Sequence, residues 1–187
     1  DYTCTPFTME TQCDKYVIPA EDLCDDYIKQ GATREQLSPY GIPVSRVFEP
    51  EETDIAALRG QLGLHPDKQC VLATGGSMGA GNMKRLTAKL IRYGKENSDT
   101  QFVIICGTNK KLQKALTDKT AGNDQFSIIG FTDRMNDYMA AADVFITKPG
   151  GLSSTEAAVT GLPMIHMSSI PGCETKNLRY FESRGMS

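Results

Sequence analysis

Two glycine-rich turns carry the residue types best suited to holding an anion. The first, Gly75-Gly76-Ser77-Met78-Gly79-Ala80-Gly81, follows the apolar run Cys70-Val71-Leu72-Ala73; the second, Lys148-Pro149-Gly150-Gly151-Leu152-Ser153-Ser154-Thr155-Glu156, follows Val144-Phe145-Ile146. Each stands where a strand hands over to a helix. Glycine lets the backbone approach a ligand closely, and a helix that opens just afterwards aims unpaired N–H groups and a partial positive charge at the same point. A bound phosphate is the expectation, the alternative for the first turn being a tight βα connection whose glycines only allow close packing, and Lys148 is either the counter-charge or an ordinary solvated lysine at a strand end. Ligands of open α/β sheets lie beyond the carboxyl ends of the strands, so both turns are expected to face one crevice.

The chemistry narrows by exclusion. Asn82 follows Gly81 where a Walker loop would place its Lys-Ser/Thr pair, which removes the usual seat for β and γ phosphates with magnesium. The G-x-G-x-x-G order of dinucleotide enzymes is also absent, so hydride transfer loses ground. Glu156 has two readings. With Ser153 it spells the S-x-x-E capping box; alternatively its carboxylate accepts hydrogen bonds from the vicinal hydroxyls of a ribose.

Smaller features carry paired readings too. Phe131-Thr132-Asp133 can offer backbone groups to a base edge, although Thr132 is equally a helix N-cap. Glu174 and Asn177 lie one helical turn apart and either grip sugar hydroxyls or form a solvated face. His166, near a strand end, reads as packed rather than catalytic. Asp54, Asp133 and Asp143 show no spacing of a glycosidase pair, and the six cysteines form neither a C-x-x-C pair nor a zinc-like set with His65 and His166. Cys70 and Cys106 sit in apolar runs as small hydrophobes, which favours a reducing, cytoplasmic setting.

The elements that must position these groups follow from periodicity. Strands are expected at Cys70 to Ala73, Phe102 to Cys106, Phe126 to Ile129, Val144 to Ile146 and Pro163 to His166. Helices are expected at Asn82 to Lys95, Lys110 to Lys119, Arg134 to Ala142, Ser154 to Thr160 and Glu174 to Arg184. Strict alternation means right-handed crossovers and an α/β, doubly wound parallel sheet of the Rossmann-like kind. Before it, Tyr16 to Ile18 reads as a short strand, Glu21 to Gln30 as a helix, Arg34 to Leu37 as a second short helix and Ile42 to Phe48 as an extended piece. Glu49-Pro50-Glu51-Glu52 is the expected boundary between a unit over 1–50 and one over 51–187.

The 187 residues, 40% hydrophobic, suffice for one ordinary core with an appendage. A net charge of -3 and a pI near 5.4 supply no broad positive field, so nucleic acid is not an expected partner. No apolar stretch approaches the roughly 20 residues a membrane span requires. A start without methionine and an end inside a helical pattern lead to the expectation of a piece of something longer.

Taken together, Gly75-Gly76-Ser77-Met78-Gly79, Gly130-Phe131-Thr132-Asp133, Lys148 to Ala157 and Ile170-Pro171-Gly172-Cys173-Glu174-Thr175-Lys176-Asn177 resemble the carboxyl-terminal half of the inverting glycosyltransferases of family 28. The last segment and the stretch Asp1 to Ile18 are most similar to the glycolipid-forming branch, the monogalactosyldiacylglycerol synthases and processive diacylglycerol glucosyltransferases. The resemblance implies the C-terminal domain of a GT-B fold with a short remnant of the N-terminal domain, and transfer of a hexose from UDP-glucose or UDP-galactose to diacylglycerol. It implies that Ser77 and the N–H groups of Gly76, Met78 and Gly79 hold the diphosphate, with Gly75, Lys148, Gly150, Gly151, Leu152, Ser153 and Ser154 also lining the donor site. The Thr132 main chain would meet the uracil, with Phe131 also in the donor site, Glu156 would meet the ribose, and Glu174 and Asn177 the sugar. It implies no metal or other cofactor, a lipid acceptor and general base supplied by the N-terminal half, and peripheral contact of the full-length protein with a membrane; this chain alone would bind donor without turnover. Cys173 departs from the pattern, since glutamine is common there, and this leaves the hexose open. A non-catalytic nucleotide-sugar subunit and a UDP-sugar epimerase are the alternatives.

Overall fold

The structure, a computed structural model, describes residues 1–4, 10, 12–76, 82–167 and 172–187, the side chain of Cys173 excepted. The amino-terminal unit is built on two very short parallel strands, β1 (Tyr16–Val17) and β2 (Leu37–Ser38), joined through α1 (Cys24–Lys29). A two-stranded sheet is too small to stand alone. Here Cys4, Tyr16, Ile18, Cys24, Tyr27, Ala32 and Leu37 bury a small core behind it. The predicted helix from Glu21 begins as a 3-10 turn over Glu21–Leu23, and the predicted extended piece Ile42 to Phe48 contains no strand, its last residues Arg46–Phe48 forming another 3-10 turn. Pro43 lacks the N–H that a ladder needs.

One helix was not anticipated. In α2 (Ile55–Gln61) the Asp54 carboxylate accepts from the Ala57 N–H at 3.0 Å. Its signature was present as an Asp N-cap followed by Ile55, Leu58 and Leu62 at helical spacing.

The principal sheet is parallel throughout. Its strands β3 (Gln69–Thr74), β4 (Thr100–Ile105), β5 (Phe126–Ile129), β6 (Val144–Thr147) and β7 (Met164–His166) lie in the order β5-β4-β3-β6-β7. α3 (Met83–Glu96) and α4 (Lys110–Thr120) cover one face, where Met83, Leu90, Leu112 and Leu116 pack on Val71, Ala73, Phe102, Ile104 and Ile146. α5 (Met135–Ala141), α6 (Gly151–Thr160) and α7 (Cys173–Glu182) cover the other, with Met139, Ala157 and Phe181 on Leu72, Val103, Ile105 and Phe145. Helices on both faces explain why β4 is buried along its whole length: every side chain of a doubly covered strand meets a helix. Each large apolar side chain so buried contributes about 1.5–3 kcal/mol.

The amino edge is pinned by Arg59, whose side chain is only 8% exposed. Its Nε donates to Ala141 O, its Nη1 to Pro66 O and Lys68 O, and its Nη2 to Asp143 Oδ2 at 2.8 Å. The same carboxylate oxygen accepts from the Cys70 N–H at 2.6 Å, which ties the starts of β3 and β6 to α2. Burial pushes the thiols of Cys70 and Cys106 up to about 11, in keeping with their reading as small hydrophobes.

Candidate functional site

Strand order reverses between β3 and β6, which pair directly with Thr74 beside Thr147. Their successors therefore leave the sheet side by side at its carboxyl edge. Gly75 and Gly76 of the first turn and Lys148 to Gly151 of the second meet at this switch point. Ser77, Met78 and Gly79 lie outside the described residues.

Gly76 has φ +79 and donates its N–H to Thr74 Oγ1 at 3.1 Å. A β-carbon there would stand 3.1 Å from Lys148 Cε, so the lysine stem lies directly on the glycine backbone. Its ammonium reaches Glu174 Oε1 at 2.8 Å, with side-chain exposures of 29% for Lys148 and 14% for Glu174. One side chain thus connects the two turns to the first turn of α7. Lys148 is thus a partly exposed lysine paired with a carboxylate.

The second turn opens its helix earlier than expected. Gly150, not Ser153, is the N-cap of α6, and no side chain caps it. The capping-box reading of Ser153 and Glu156 is therefore corrected, because both residues lie inside the helix. Glu156 is half-buried, and burial raises its pKa above the usual carboxylate value. Gly151 is packed against Asp1, whose Cα and Oδ1 would each lie 3.0 Å from a β-carbon at that position. An acidic side chain therefore stands at the opening of α6, and the Lys148 stem lies at the junction of the two turns.

Two of the expected site residues are buried. Asn177 is fully buried: its Oδ1 accepts from the Tyr2 N–H at 2.7 Å, and its Nδ2 donates to Asp1 Oδ1 and Pro149 O, each at 3.0 Å. Its amide fastens α7 and the amino-terminal segment to the second turn. Ser154 is likewise buried, with its Oγ 3.0 Å from His166 Nε2. Leu152 and Phe131 are exposed, and Ser153 is partly so. Thr132 does not cap α5; its Oγ1 accepts from the Arg134 N–H at 3.1 Å, and Arg134 is the N-cap.

His166 ends β7 beside Thr147. Burial lowers its pKa, partly opposed by Glu182, and its ring packs on Phe181. Among the described residues, His166 Nδ1 and Thr147 Oγ1 are buried without a hydrogen-bond partner.

Sequence reasoning missed the role of Tyr2. Its hydroxyl lies 2.8 Å from Thr155 Oγ1, which donates to Gly151 O, and its ring stacks on Tyr180 at 4.0 Å. No local pattern announces a contact between positions 175 residues apart, such as that of Tyr2 with Asn177. A separate cavity of about 480 Å³ lies at the opposite end of the sheet, lined by Phe48, Leu58, Met139 and Leu162. It holds neither glycine turn.

Residues 70–177 match the family described as Glycosyltransferase family 28 C-terminal domain, and residues 1–44 match the family described as Monogalactosyldiacylglycerol (MGDG) synthase. A processive diacylglycerol beta-glucosyltransferase of Staphylococcus saprophyticus is 34% identical over 97% of this chain and 44% of its own length. The protein of the same description in Staphylococcus aureus is 33% identical over 91% of this chain and 43% of its own. The chain therefore spans less than half the length of these curated relatives. Among solved structures, a putative UDP-N-acetylglucosamine 2-epimerase from Listeria monocytogenes superposes with TM-score 0.67 at 15% identity, covering 89% of this chain and 45% of the other. Anabaena Alr3699/HepE in complex with UDP superposes with TM-score 0.57 at 14% identity, covering 92% and 54%. At such identities the likeness is one of fold.

Proposed function

Since the chain belongs to glycosyltransferase family 28 through its C-terminal domain, we propose that it is the donor-binding half of an inverting enzyme that transfers glucose or galactose from a UDP-sugar to diacylglycerol. The observation that carries this reading is Lys148, which lies on Gly76 and pairs with Glu174 at the point where strand order reverses. Three stretches distant in sequence meet there around one cation.

Each role follows from chemistry. Peptide N–H groups of the turn from Gly75 to Gly79 and of the opening from Gly150 to Ser153, with Ser77 and Lys148, hold the diphosphate and stabilise the charge that develops on it as the glycosidic bond breaks. Glu156 is half-buried, and a desolvated carboxylate gains most from donors such as the ribose diol. The exposed ring of Phe131 and the backbone of Thr132 receive the uracil. Glu174 accepts from hydroxyls of the hexose. No metal is assigned a step. The acceptor hydroxyl must lose a proton as it attacks the anomeric carbon opposite UDP, and that base, with the lipid surface and peripheral membrane contact, belongs to sequence outside this chain. Residues 1–50 represent the end of that acceptor-side unit. No helix among the described residues is long and apolar enough to cross a membrane.

Calorimetric titration with UDP tests the site, and donor competition between UDP-glucose and UDP-galactose with diacylglycerol vesicles tests the reaction on the full-length protein. Absence of UDP binding by folded protein removes the reading. Interconversion of free UDP-sugars without lipid would replace it with an epimerase.

A further inference from the structure

Lys148 and Glu174 are the two groups at the switch point that a nucleotide sugar would engage with opposite ends, and they already neutralise each other. The lysine stem runs over Gly76 and passes 3.9 Å from where a β-carbon on Gly150 would stand, so it spans the seam between the two turns. Its ammonium and the carboxylate meet at 2.8 Å in a partly buried setting. Glu174 occupies the first turn of α7, where the helix dipole favours a negative charge even without a cation beside it. Lysine, with its flexible four-carbon stem and compact ammonium, can swing from one anion to another without moving the backbone.

We propose that this ion pair is exchangeable and couples recognition of the sugar to retention of the nucleotide. The proposal rests on the UDP-sugar reading of the site. A diphosphate entering the seam draws the Lys148 ammonium away from Glu174. The carboxylate then loses its cation while partly buried beside a negatively charged ligand, a loss that donors on the ligand offset. Hydroxyls of a hexose attached to the diphosphate supply those donors; UDP alone has none there. The pair therefore penalises UDP relative to UDP-hexose. Once the sugar has been transferred, Glu174 recaptures Lys148 and helps UDP leave.

The test is calorimetry on the full-length protein with UDP and with UDP-glucose and UDP-galactose. Glu174→Gln frees Lys148 from its competitor, so UDP is expected to bind about two- to five-fold tighter, the worth of a partly exposed ion pair. The preference for the UDP-hexose over UDP is expected to shrink in the same variant. Lys148→Met is expected to weaken UDP and UDP-hexose alike. A brace with no part in exchange predicts the reverse for Glu174→Gln: lower melting temperature with UDP affinity unchanged or reduced, and that result overturns the proposal. Should the variant fold poorly, carboxyl-¹³C-labelled wild-type protein decides. UDP must shift the Glu174 carboxyl resonance, and UDP-hexose must shift it differently; a resonance indifferent to both overturns the proposal. Wild-type protein that binds no UDP fails the reading of the site itself, which is a different outcome from binding without exchange.

Discussion

Asn177 donates from Nδ2 to the Pro149 carbonyl at 3.0 Å, so the first half of α7 is fastened directly to the loop that leads into α6. The same side chain accepts from Tyr2 N–H, and the two bonds hold the amino-terminal segment, the second glycine turn and the last helix in one arrangement. Replacing it by alanine orphans a buried donor and a buried acceptor. Asn177→Ala is expected to cost about 2–3 kcal/mol, read as a lowered denaturant midpoint. Because its amide is spent on protein groups, the ratio of UDP-hexose to UDP affinity is expected to stay as in the wild type. A selective loss of UDP-hexose binding would return Asn177 to the sugar.

Gly76→Ala addresses the seam itself. The φ of +79 is costly for any residue with a β-carbon, about 1–2 kcal/mol, and the new methyl would press on Lys148 Cε at 3.1 Å. Stability is expected to fall by that amount, and UDP affinity to fall with it as the lysine is displaced. Thermal unfolding and titration of the same preparation measure both.

Glu156 links binding to pH. Burial raises its folded-state pKa above the unfolded value of 4.5, so its contribution to stability is fully present below 4.5 and is lost as pH rises through the folded value. Ribose hydroxyls that donate to the charged form pull the pKa down again. UDP binding is therefore expected to release protons at pH values just above 4.5, detectable as buffer-dependent binding enthalpy. Glu156→Gln is expected to abolish the release, to stabilise the protein above that window and to weaken UDP by about 1–3 kcal/mol. Unchanged UDP affinity would remove Glu156 from the site.

Arg59→Met tests the opposite edge. The substitution removes four donated hydrogen bonds and leaves Asp143 without its cation. Because Asp143 is 44% exposed, the expected loss of about 3 kcal/mol lies at the lower end for a broken buried pair. UDP affinity of the folded fraction is expected to be unchanged, since this network ties the amino ends of β3 and β6 rather than their carboxyl ends. Combination with Asp143→Asn should be less than additive.

The strands, most helices, the second turn and the described start of the first were legible because each is encoded locally. An uninterrupted run such as Phe102 to Cys106 announces a doubly covered strand, and Leu86 with Leu90, or Leu112 with Leu116, announce a helix face. Glycines between strand and helix mark the turns for the same reason, since only the local backbone decides where they are needed. Two of the departures were also local: the helix behind Asp54 carries its signal in the N-cap, and the start of α6 shifts because Ser153-x-x-Glu156 imitates a cap that Gly150 in fact provides.

Local pattern determined the alternating elements, the parallel sheet and the placing of both glycine turns at one edge, because periodicity and turn chemistry act within a few residues. Only the tertiary structure decided the partners. Strand order put β6 beside β3, which laid Lys148 on Gly76 and brought it to Glu174, while Asn177 and Ser154 were turned inward to Tyr2, Pro149 and His166. The physical reason is that a polar side chain takes whichever unsatisfied partner the packing delivers, and packing joins positions that the chain itself keeps far apart.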